Sequence, residues 1–378
     1  MNANFLQSTF NNHYQKQLSH RYICNDHIIP ILEKLPADFS CLEIGRSVKD
    51  EPIFSVRFGS GSLKILMWSQ MHGNESTTTK AIFDLFSVIS SNKNAFKSIL
   101  QTCDITIIPI LNPDGARVYT RVNANAIDLN RDAKDFSQPE SKVLRQVFDT
   151  LKPDFCFNLH GQRTIFSVTN KNSATLSFLA PAEDKKRSVT KTRIVAMSII
   201  ANIYKYHNYQ LEDQIGRYDD TYNDNCVGDT FQSLGVPTVL FEAGHFKNDY
   251  VREKTRQFIF ESLCVALQEI SKGIDTSVYK DYFKIPENEK FRYDVIIKNT
   301  SLNGEVTSIA IQYVEQLHKN KVQFIPQVVD LDIGSQYKGH FEIDAKGNTV
   351  LTHESKSLFQ GYENDFVLIN NEKYALKA

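Results

Sequence analysis

The sequence lacks several features that would assign a chain to a class at once. Its six cysteines lie far apart without a C-x-x-C pair, which indicates neither a disulfide framework nor a cysteine zinc module. The formal net charge of −1 excludes the broad basic field typical of proteins that bind nucleic acid or anionic lipid. No apolar run approaches the ~20 residues that span a bilayer, and the opening segment MNANFLQSTFNNHYQKQL has no apolar core of a secretory signal. We therefore expect a cytoplasmic protein that contacts neither nucleic acid nor membrane.

Apolar strands and amphipathic helices alternate through most of the 378 residues. The first ~50 residues have a helical, polar pattern, and residues 55–58 and 63–70 suggest a strand pair joined by the Gly59/Gly61 turn. Further strands are predicted at 103–111, 155–160 and 237–244, and helices at 77–91, 140–151, 188–206 and 249–271. The alternation predicts an α/β domain over residues 1–275, with a mixed, mostly parallel central sheet flanked by helices.

After Lys280 the pattern changes to short apolar segments typical of strands. They are predicted at 291–298, 322–333, 340–344 and 348–354, with one helix at 305–318. These segments predict a smaller β-rich domain over residues 280–378, of unknown role.

Histidine and glutamate residues follow two of the buried strands. His72 and Glu75 are three residues apart in the segment QMHGNE, and His160 ends the strand FCFNLH. Two histidines and one carboxylate can bind zinc and leave a fourth position open, as catalytic zinc sites do. Taken alone, a histidine at such a position is more often an ordinary residue that binds no metal. A glutamate there more often stabilises the N-terminus of a helix. The hypothesis of a metal site therefore depends on all three residues meeting at the carboxyl edge of one sheet.

Two further features carry charge at predicted strand ends or loops. The segment from Arg121 to Asp132 contains two arginines ten residues apart, and arginine suits a carboxylate or a developing oxyanion. A turn-rich surface loop explains these residues equally well. Glu242 ends the apolar strand PTVLFE, where a buried carboxylate is costly without a partner. Beside a metal site it could act as general base and then general acid; the alternative is a salt-bridged structural glutamate.

Taken in order, the motifs resemble those of the M14-type zinc carboxypeptidases (funnelins), in particular the compact bacterial branch. They are H-x-x-E, N-P-D-G, R-x-N-x-N-x-x-D-L-N-R, a strand-end L-H-G and a strand-end glutamate, all within residues 20–275. The resemblance implies one Zn²⁺ per chain, held by His72, Glu75 and His160, with Glu242 as general base and acid.

The resemblance also implies roles for the arginine-containing segment. Arg121 would polarise the scissile carbonyl, and Asn130 with Arg131 would bind the terminal carboxylate of the substrate. Asp128 would support a zinc-ligand histidine. Asp132 departs from the asparagine often found there in the family, and it adds a negative charge beside Arg131.

The resemblance further implies a tyrosine that caps the bound substrate, about 20 residues before Glu242, and a specificity pocket after it. Tyr222 fits this spacing best, and Tyr218 is the second possibility. The specificity pocket is expected around residues 226–231.

The predicted function is zinc-dependent removal of C-terminal residues from peptides. The substrate would be a peptide or an acylated amino acid with a free carboxylate. One alternative is a related amidase or deacylase, resembling murein-peptide amidases, aspartoacylase or succinylglutamate desuccinylase, and another is a non-catalytic peptide-binding protein. The Asn130–Arg131 pair favours the carboxypeptidase, and the oligomeric state stays open.

Overall fold

A mixed sheet forms the centre of the larger part of the molecule. The computed structural model describes residues 1–377, and at residue 170 the backbone alone. The strands of this sheet are β1 (Ser40–Arg46), β2 (Pro52–Phe58), β3 (Leu63–Ser69), β4 (Cys103–Ile108), β5 (Phe155–Gly161), β6 (Leu176–Leu179), β7 (Ile215–Arg217) and β8 (Thr238–Ala243). Within the described chain they lie in the order β1-β2-β4-β3-β5-β8-β6-β7. Strands β4, β3, β5 and β8 run parallel at its centre, which confirms the predicted α/β fold class.

Helices cover both faces of this sheet. They are α1 (Ala3–His13), α2 (Asn25–Leu32), α3 (Thr77–Ser91), α4 (Lys97–Thr102), α5 (Pro113–Val118), α6 (Pro139–Leu151), α7 (Lys191–His207), α8 (Val227–Ser233) and α9 (Glu253–Lys272). Alternate residues of β3 point to opposite faces. Ile65 and Met67 join an apolar cluster with α3, α7 and α9, whereas Leu66 and Trp68 join one with α6 and α8. Burial on both faces explains why this strand has an almost continuous apolar sequence. Among the residues described, no helix is both long and apolar enough to cross a bilayer.

Two smaller sheets follow α9. The first contains β9 (Arg292–Leu302), β10 (Glu305–His318), β11 (Lys321–Asp330) and β12 (Lys338–Asp344), and the second contains β13 (Val350–Leu351), β14 (Phe366–Ile369) and β15 (Glu372–Ala375). Their order is β11-β10-β9-β12 and β13-β14-β15. The predicted β-rich character of this region is confirmed.

The helix predicted at 305–318 is wrong, because this segment is β10. Residues 303 and 304, an Asn-Gly pair, both have positive φ (52° and 88°), and they join β9 to β10 as a tight hairpin. β10 then pairs with β9 on one side and β11 on the other. Alternate residues Ile309 and Ile311 enter the apolar core of the small sheets. The helical spacing of apolar residues was coincidental, and the hairpin turn determined the structure.

The predicted pairing of residues 55–58 with 63–70 is also wrong, although both strands exist. β4 lies between β2 and β3, antiparallel to the first and parallel to the second. The connection through Gly61 packs directly on the start of β4, where an added Cβ would lie 1.8 Å from the carbonyl carbon of Thr102. The helical prediction for the first 50 residues likewise missed β1, the edge strand beside β2.

Charged groups join the large sheet's loops to the small four-stranded sheet. Glu315 on β10 accepts hydrogen bonds from Arg21 Nη2 at 2.9 Å and from the Tyr119 hydroxyl at 2.5 Å. The Tyr250 hydroxyl donates to Asp294 Oδ1 on β9 at 2.8 Å. The contact between the two parts of the chain is therefore polar and charge-compensated, not simply apolar.

The carboxyl group of Glu261 lies in the core between α7 and α9, with its Oε2 3.9 Å from His207 Nδ1. Glu261 has no solvent exposure, and Gln257 Nε2 donates to its Oε1 at 2.7 Å. Its Oε2 has no hydrogen-bond partner among the described residues. Burial raises the pKa of Glu261 from its ordinary value of 4.5 to about 7. The folded protein therefore keeps this proton at pH values where the unfolded chain releases it.

We expect the Glu261→Gln variant to be more stable than the wild type only at higher pH. The stabilising proton uptake is fully present below the unfolded pKa of 4.5 and is lost as the pH rises through about 7. At about pH 8 the substitution should raise the free energy of unfolding by on the order of 2–3 kcal/mol, with little change near pH 5. Urea denaturation at both pH values measures this difference. An equal gain at the two values would contradict the assignment.

Candidate metal centre and active site

Adjacent strand ends bring the candidate residues together. β3, β5 and β8 are parallel neighbours, so their carboxyl ends lie side by side. His72 and Glu75 lie between β3 and α3, His160 is the penultimate residue of β5, and Glu242 on β8 is paired with His160. This is the sheet edge at which such folds place their ligands.

The loop from β3 to α3 is held in a fixed shape. Gln70 has φ of 47°, and its side-chain Nε2 donates to the carbonyl oxygens of Ile23 and Gly73 at 2.9 and 2.8 Å. Gly73 touches the backbone of α5, since an added Cβ would lie 2.0 Å from the carbonyl carbon of Gly115. The chain therefore turns sharply after β3 and directs His72 and Glu75 to the same point.

The donor atoms of His72, Glu75 and His160 converge. The two histidine Nδ1 atoms are 3.2 Å apart, His72 Nδ1 lies 2.9 Å from Glu75 Oε1, and His160 Nδ1 lies 3.0 Å from Glu75 Oε2. A tetrahedral zinc ion with bonds of about 2.0–2.1 Å separates its ligand atoms by roughly 3.3 Å. Both histidines are 2% exposed. The donor set and its spacing fit a zinc ion.

Asp128 and Arg121 form a charged pair behind His72. His72 Nε2 lies 2.9 Å from Asp128 Oδ1, and Arg121 Nε and Nη2 donate to Asp128 Oδ2 at 3.1 and 3.0 Å. Burial by itself lowers the pKa of His72, but the charges and hydrogen bonds of Glu75 and Asp128 outweigh it and raise the pKa to about 9. The contact with Asp128 orients the ring so that Nδ1 faces the other two donors.

Glu242 is half-buried and has no ion-pair partner among the described residues. Its Oε2 has no hydrogen-bond partner among the residues described. Arg121 and Arg252 affect its pKa by charge, yet their side chains are hydrogen-bonded elsewhere, to Asp128 and to the Ala243 carbonyl. Burial raises the pKa of Glu242 well above its usual range, and the charge of Glu75 raises it further. These contacts do not support a structural glutamate held in a salt bridge.

Asn130 and Arg131 line the cleft beside the histidines. The cleft has a volume of about 660 Å³. Asn130 Oδ1 accepts from the backbone N–H of Val227 at 3.2 Å, so this amide also holds the start of α8. Arg131 is exposed, and its Nη1 donates to the Asn130 carbonyl at 2.8 Å. Asp132 is 3% exposed, and its carboxylate accepts hydrogen bonds from the backbone N–H groups of residues 137 and 138. These hydrogen bonds stabilise its negative charge within that turn.

Both candidate tyrosines line the same cleft. The ring of Tyr218 packs on Phe166 with centroids 5.2 Å apart. Burial raises the pKa of Tyr218 well above its usual range, and the charges of Glu242 and Glu75 add to this shift. The Tyr218 hydroxyl therefore lies within electrostatic reach of the metal centre, although the sequence spacing favours Tyr222.

Five charged residues of the cleft were missed from the sequence. They are Arg163, Lys185, Asp219, Asp224 and Asp229. Asp229 is 6% exposed, and burial raises its pKa to about 6. It falls within the segment 226–231 expected to form the specificity pocket, but nothing in the sequence distinguishes it from an acidic residue in the first turn of a helix.

Comparison with known proteins gives a consistent result. Residues 28–133 match the model of the family Peptidase_M14, zinc carboxypeptidase. Probable carboxypeptidase 2 of Arthroderma benhamiae is 27% identical over 101 residues, which cover 26% of this chain and 19% of the relative. Carboxypeptidase SOL1 of Arabidopsis thaliana is 27% identical over 172 residues, covering 38% of this chain and 34% of the relative. The chain thus spans between about a fifth and a third of these two curated relatives.

Solved structures share the fold at low sequence identity. A metallo-carboxypeptidase from Burkholderia cenocepacia has a TM-score of 0.51 at 17% identity, covering 65% of this chain and 68% of that one. Carboxypeptidase A from Helicoverpa armigera has a TM-score of 0.53 at 15% identity, covering 71% of this chain and 80% of that one. Residues 28–133 are thus similar to the zinc carboxypeptidase family, and the chain shares the fold of these solved carboxypeptidases.

Proposed function

We propose that this protein is a zinc-dependent hydrolase that removes carboxy-terminal residues from peptides. The convergence of His72 Nδ1, His160 Nδ1 and the Glu75 carboxylate carries the proposal. The cleft around them also contains Glu242 and the exposed guanidinium of Arg131. A peptide's free carboxylate could therefore bind close to a metal ion and a proton-transferring group.

The proposed zinc ion would be held by His72, Glu75 and His160, one ion per chain. Bound there, zinc would act as a Lewis acid and lower the pKa of water. Glu242 would accept the proton of the attacking water and then deliver it to the leaving amine. Its buried Oε2 supports this role because no described side chain is hydrogen-bonded to it.

The remaining residues would orient the substrate and stabilise charge. Arg121 has a side chain 48% exposed and held by Asp128, so its outer face could stabilise negative charge on the carbonyl oxygen. Arg131, with Asn130, would bind the terminal carboxylate through charge-assisted hydrogen bonds. Tyr218, or else Tyr222, would pack over the bound substrate.

We also propose that residues 1–275 and 280–378 are two domains, as expected from the sequence. The small sheets have their own apolar clusters, drawn from residues 293–376. The charged contacts of Glu315 and Asp294 supply the attachment between the two.

The test uses one peptide in two forms, with a free C-terminal carboxylate and with a C-terminal amide. We expect the zinc-loaded protein to release the last amino acid from the free acid, and a chelator followed by zinc to abolish and restore this release. The amide should react about 10–100-fold more slowly, since it lacks the charge that Arg131 would bind. Mass spectrometry measures both products.

Other substrates separate this proposal from its alternatives. N-acyl amino acids and a cell-wall tripeptide are tested at the same concentration. Cleavage of these alone, with the free-acid peptide untouched, would replace the carboxypeptidase proposal with a deacylase or an amidase. Stoichiometric zinc without any hydrolysis would indicate a peptide-binding protein.

A further inference from the structure

A second cavity, of about 480 Å³, lies where the loop after β8 meets the four-stranded sheet. We call it the seam cavity and define it by His245, Lys247 and Tyr250 from the loop, Arg292 on β9 and His340 on β12. None of these residues lines the cleft at the metal centre. The seam cavity has no part in the proposed hydrolysis.

Positive charge dominates the wall of the seam cavity. Lys247 and Arg292 are cations, while the lining residues that the structure describes include no aspartate or glutamate. The charge of Glu342 acts on Arg292, but this carboxylate is itself paired with Lys298. The cavity therefore has a surplus of positive charge without a counter-ion from the described chain.

The Arg292 guanidinium is held in a fixed position by neutral partners. Its Nη1 donates to the Lys171 carbonyl at 3.0 Å, and its Nη2 donates to His340 Nδ1 at 3.1 Å. His340 Nε2 then donates to the Thr164 carbonyl at 2.8 Å, which fixes the tautomer of this ring. The buried Nε of Arg292 has no partner among the described residues. The arginine is thus preorganised but not neutralised.

His245 is the second unsatisfied group of the cavity. It is 1% exposed and lies between the rings of His340 and Tyr250, with centroids 4.2 and 4.6 Å away. Neither of its ring nitrogens has a hydrogen-bond partner within the described chain. A buried polar group left unpaired costs ~1–3 kcal/mol. Burial, and then the charges of His340 and Arg292 among others, lower its pKa well below the usual range.

We propose that the seam cavity binds a small organic anion with carboxylate or phosphate groups. Arg292 and Lys247 would pair with the oxygen atoms, and His245 would hydrogen-bond to the ligand after a small ring rotation. The aromatic side chains of Phe246, Tyr250 and Phe341 add apolar surface, which favours an organic anion over a bare inorganic ion. The volume lies within the ~300–1,000 Å³ typical of small-molecule sites. Because the ligand would contact both the loop after β8 and the four-stranded sheet, its binding would stabilise the contact between them.

Lysine labelling with mass spectrometry locates this binding directly. The zinc-loaded full chain is acetylated with and without succinate or inorganic phosphate, at constant ionic strength. We expect at least one anion to slow the labelling of Lys247 by threefold or more. Lys97, an exposed lysine on α4 that lines neither cavity, serves as the control and should label at an unchanged rate. Protection by succinate alone indicates a carboxylate ligand, and protection by phosphate alone indicates a phosphorylated one.

Calorimetry on variants separates this site from the metal centre. Arg292→Gln should weaken anion binding at least tenfold and Lys247→Gln at least threefold, whereas Arg131→Gln should leave the Lys247 protection unchanged. Circular dichroism checks the fold of Arg292→Gln, and the exposed Lys247 provides a variant that does not disturb packing. The proposal is overturned if neither anion protects Lys247 at millimolar concentration, or if protection is lost in Arg131→Gln and kept in Arg292→Gln.

Discussion

Replacing Glu242 with glutamine should lower kcat/KM for a peptide substrate by about 10²–10⁴-fold, the usual contribution of a general acid–base group. Glutamine has nearly the same shape but cannot accept the proton of the attacking water or return it to the leaving amine. The donors His72, Glu75 and His160 are untouched, so we expect the variant to keep its zinc. Steady-state kinetics and metal analysis of the same preparation measure both quantities.

The matched control is Glu261→Gln. Each carboxyl group has a buried Oε2 that is unpartnered among the described residues, and burial raises the pKa of both. Glu261 lies between α7 and α9 and lines none of the cleft, so its variant should keep kcat/KM within about twofold. Full activity in Glu242→Gln would remove Glu242 from the mechanism. Loss of zinc from that variant would instead make it part of the metal site.

Replacing Asp84 with asparagine should lower the free energy of unfolding by about 3–5 kcal/mol. Asp84 and Arg256 are both 0% exposed, and Arg256 Nε and Nη2 each donate to the Asp84 carboxylate at 2.6 Å. Asparagine would leave the guanidinium buried with one fewer counter-charge. Since small domains have ~5–15 kcal/mol of stability in total, this loss is large. The fluorescence of the sole tryptophan, Trp68, buried in β3, reports unfolding of the large sheet in urea.

An exposed ion pair provides the control for Asp84. Arg145 Nε lies 2.8 Å from Asp149 on α6, and the Asp149 side chain is 53% exposed. Asp149→Asn removes the same charge from a pair one helical turn apart, and it should cost less than about 0.5 kcal/mol. Similar losses in the two variants would show that burial does not govern the stability of the Asp84–Arg256 pair.

The sequence alone was sufficient to predict a helix or strand where one local pattern determines that element. The helix predicted at 77–91 is α3, with the same bounds, because its apolar spacing agrees with the sheet on which it packs. The strands around 63–70, 155–160 and 237–244 were recognised because burial on both faces makes their sequences predominantly apolar. Their parallel order then brought the predicted ligands to one edge without further information.

Other features depended on contacts between distant residues. The short strands β6 and β7 carry too few residues for a periodic signal; β6 is stabilised by pairing with β8, and β7 by pairing with β6. Asp229 and the residues of the seam cavity come from segments that meet only in the folded chain. β10 was misassigned because apolar residues at helical spacing outweighed the Asn303-Gly304 turn signal just before it.

The contact of Glu315 with Arg21 has a consequence for how such chains can diverge. Arg21 is 6% exposed, and the charge of Glu315 also acts on the fully buried Arg252, whose guanidinium holds the ends of β5 and β8. A carboxylate of the small sheet thus adds to Glu75 in balancing the charge of Arg21 and Arg252. Recombination that exchanged the small sheets for those of a homologue should cost least stability where an acidic residue recurs at this position of β10. The two parts should therefore be inherited as a matched pair.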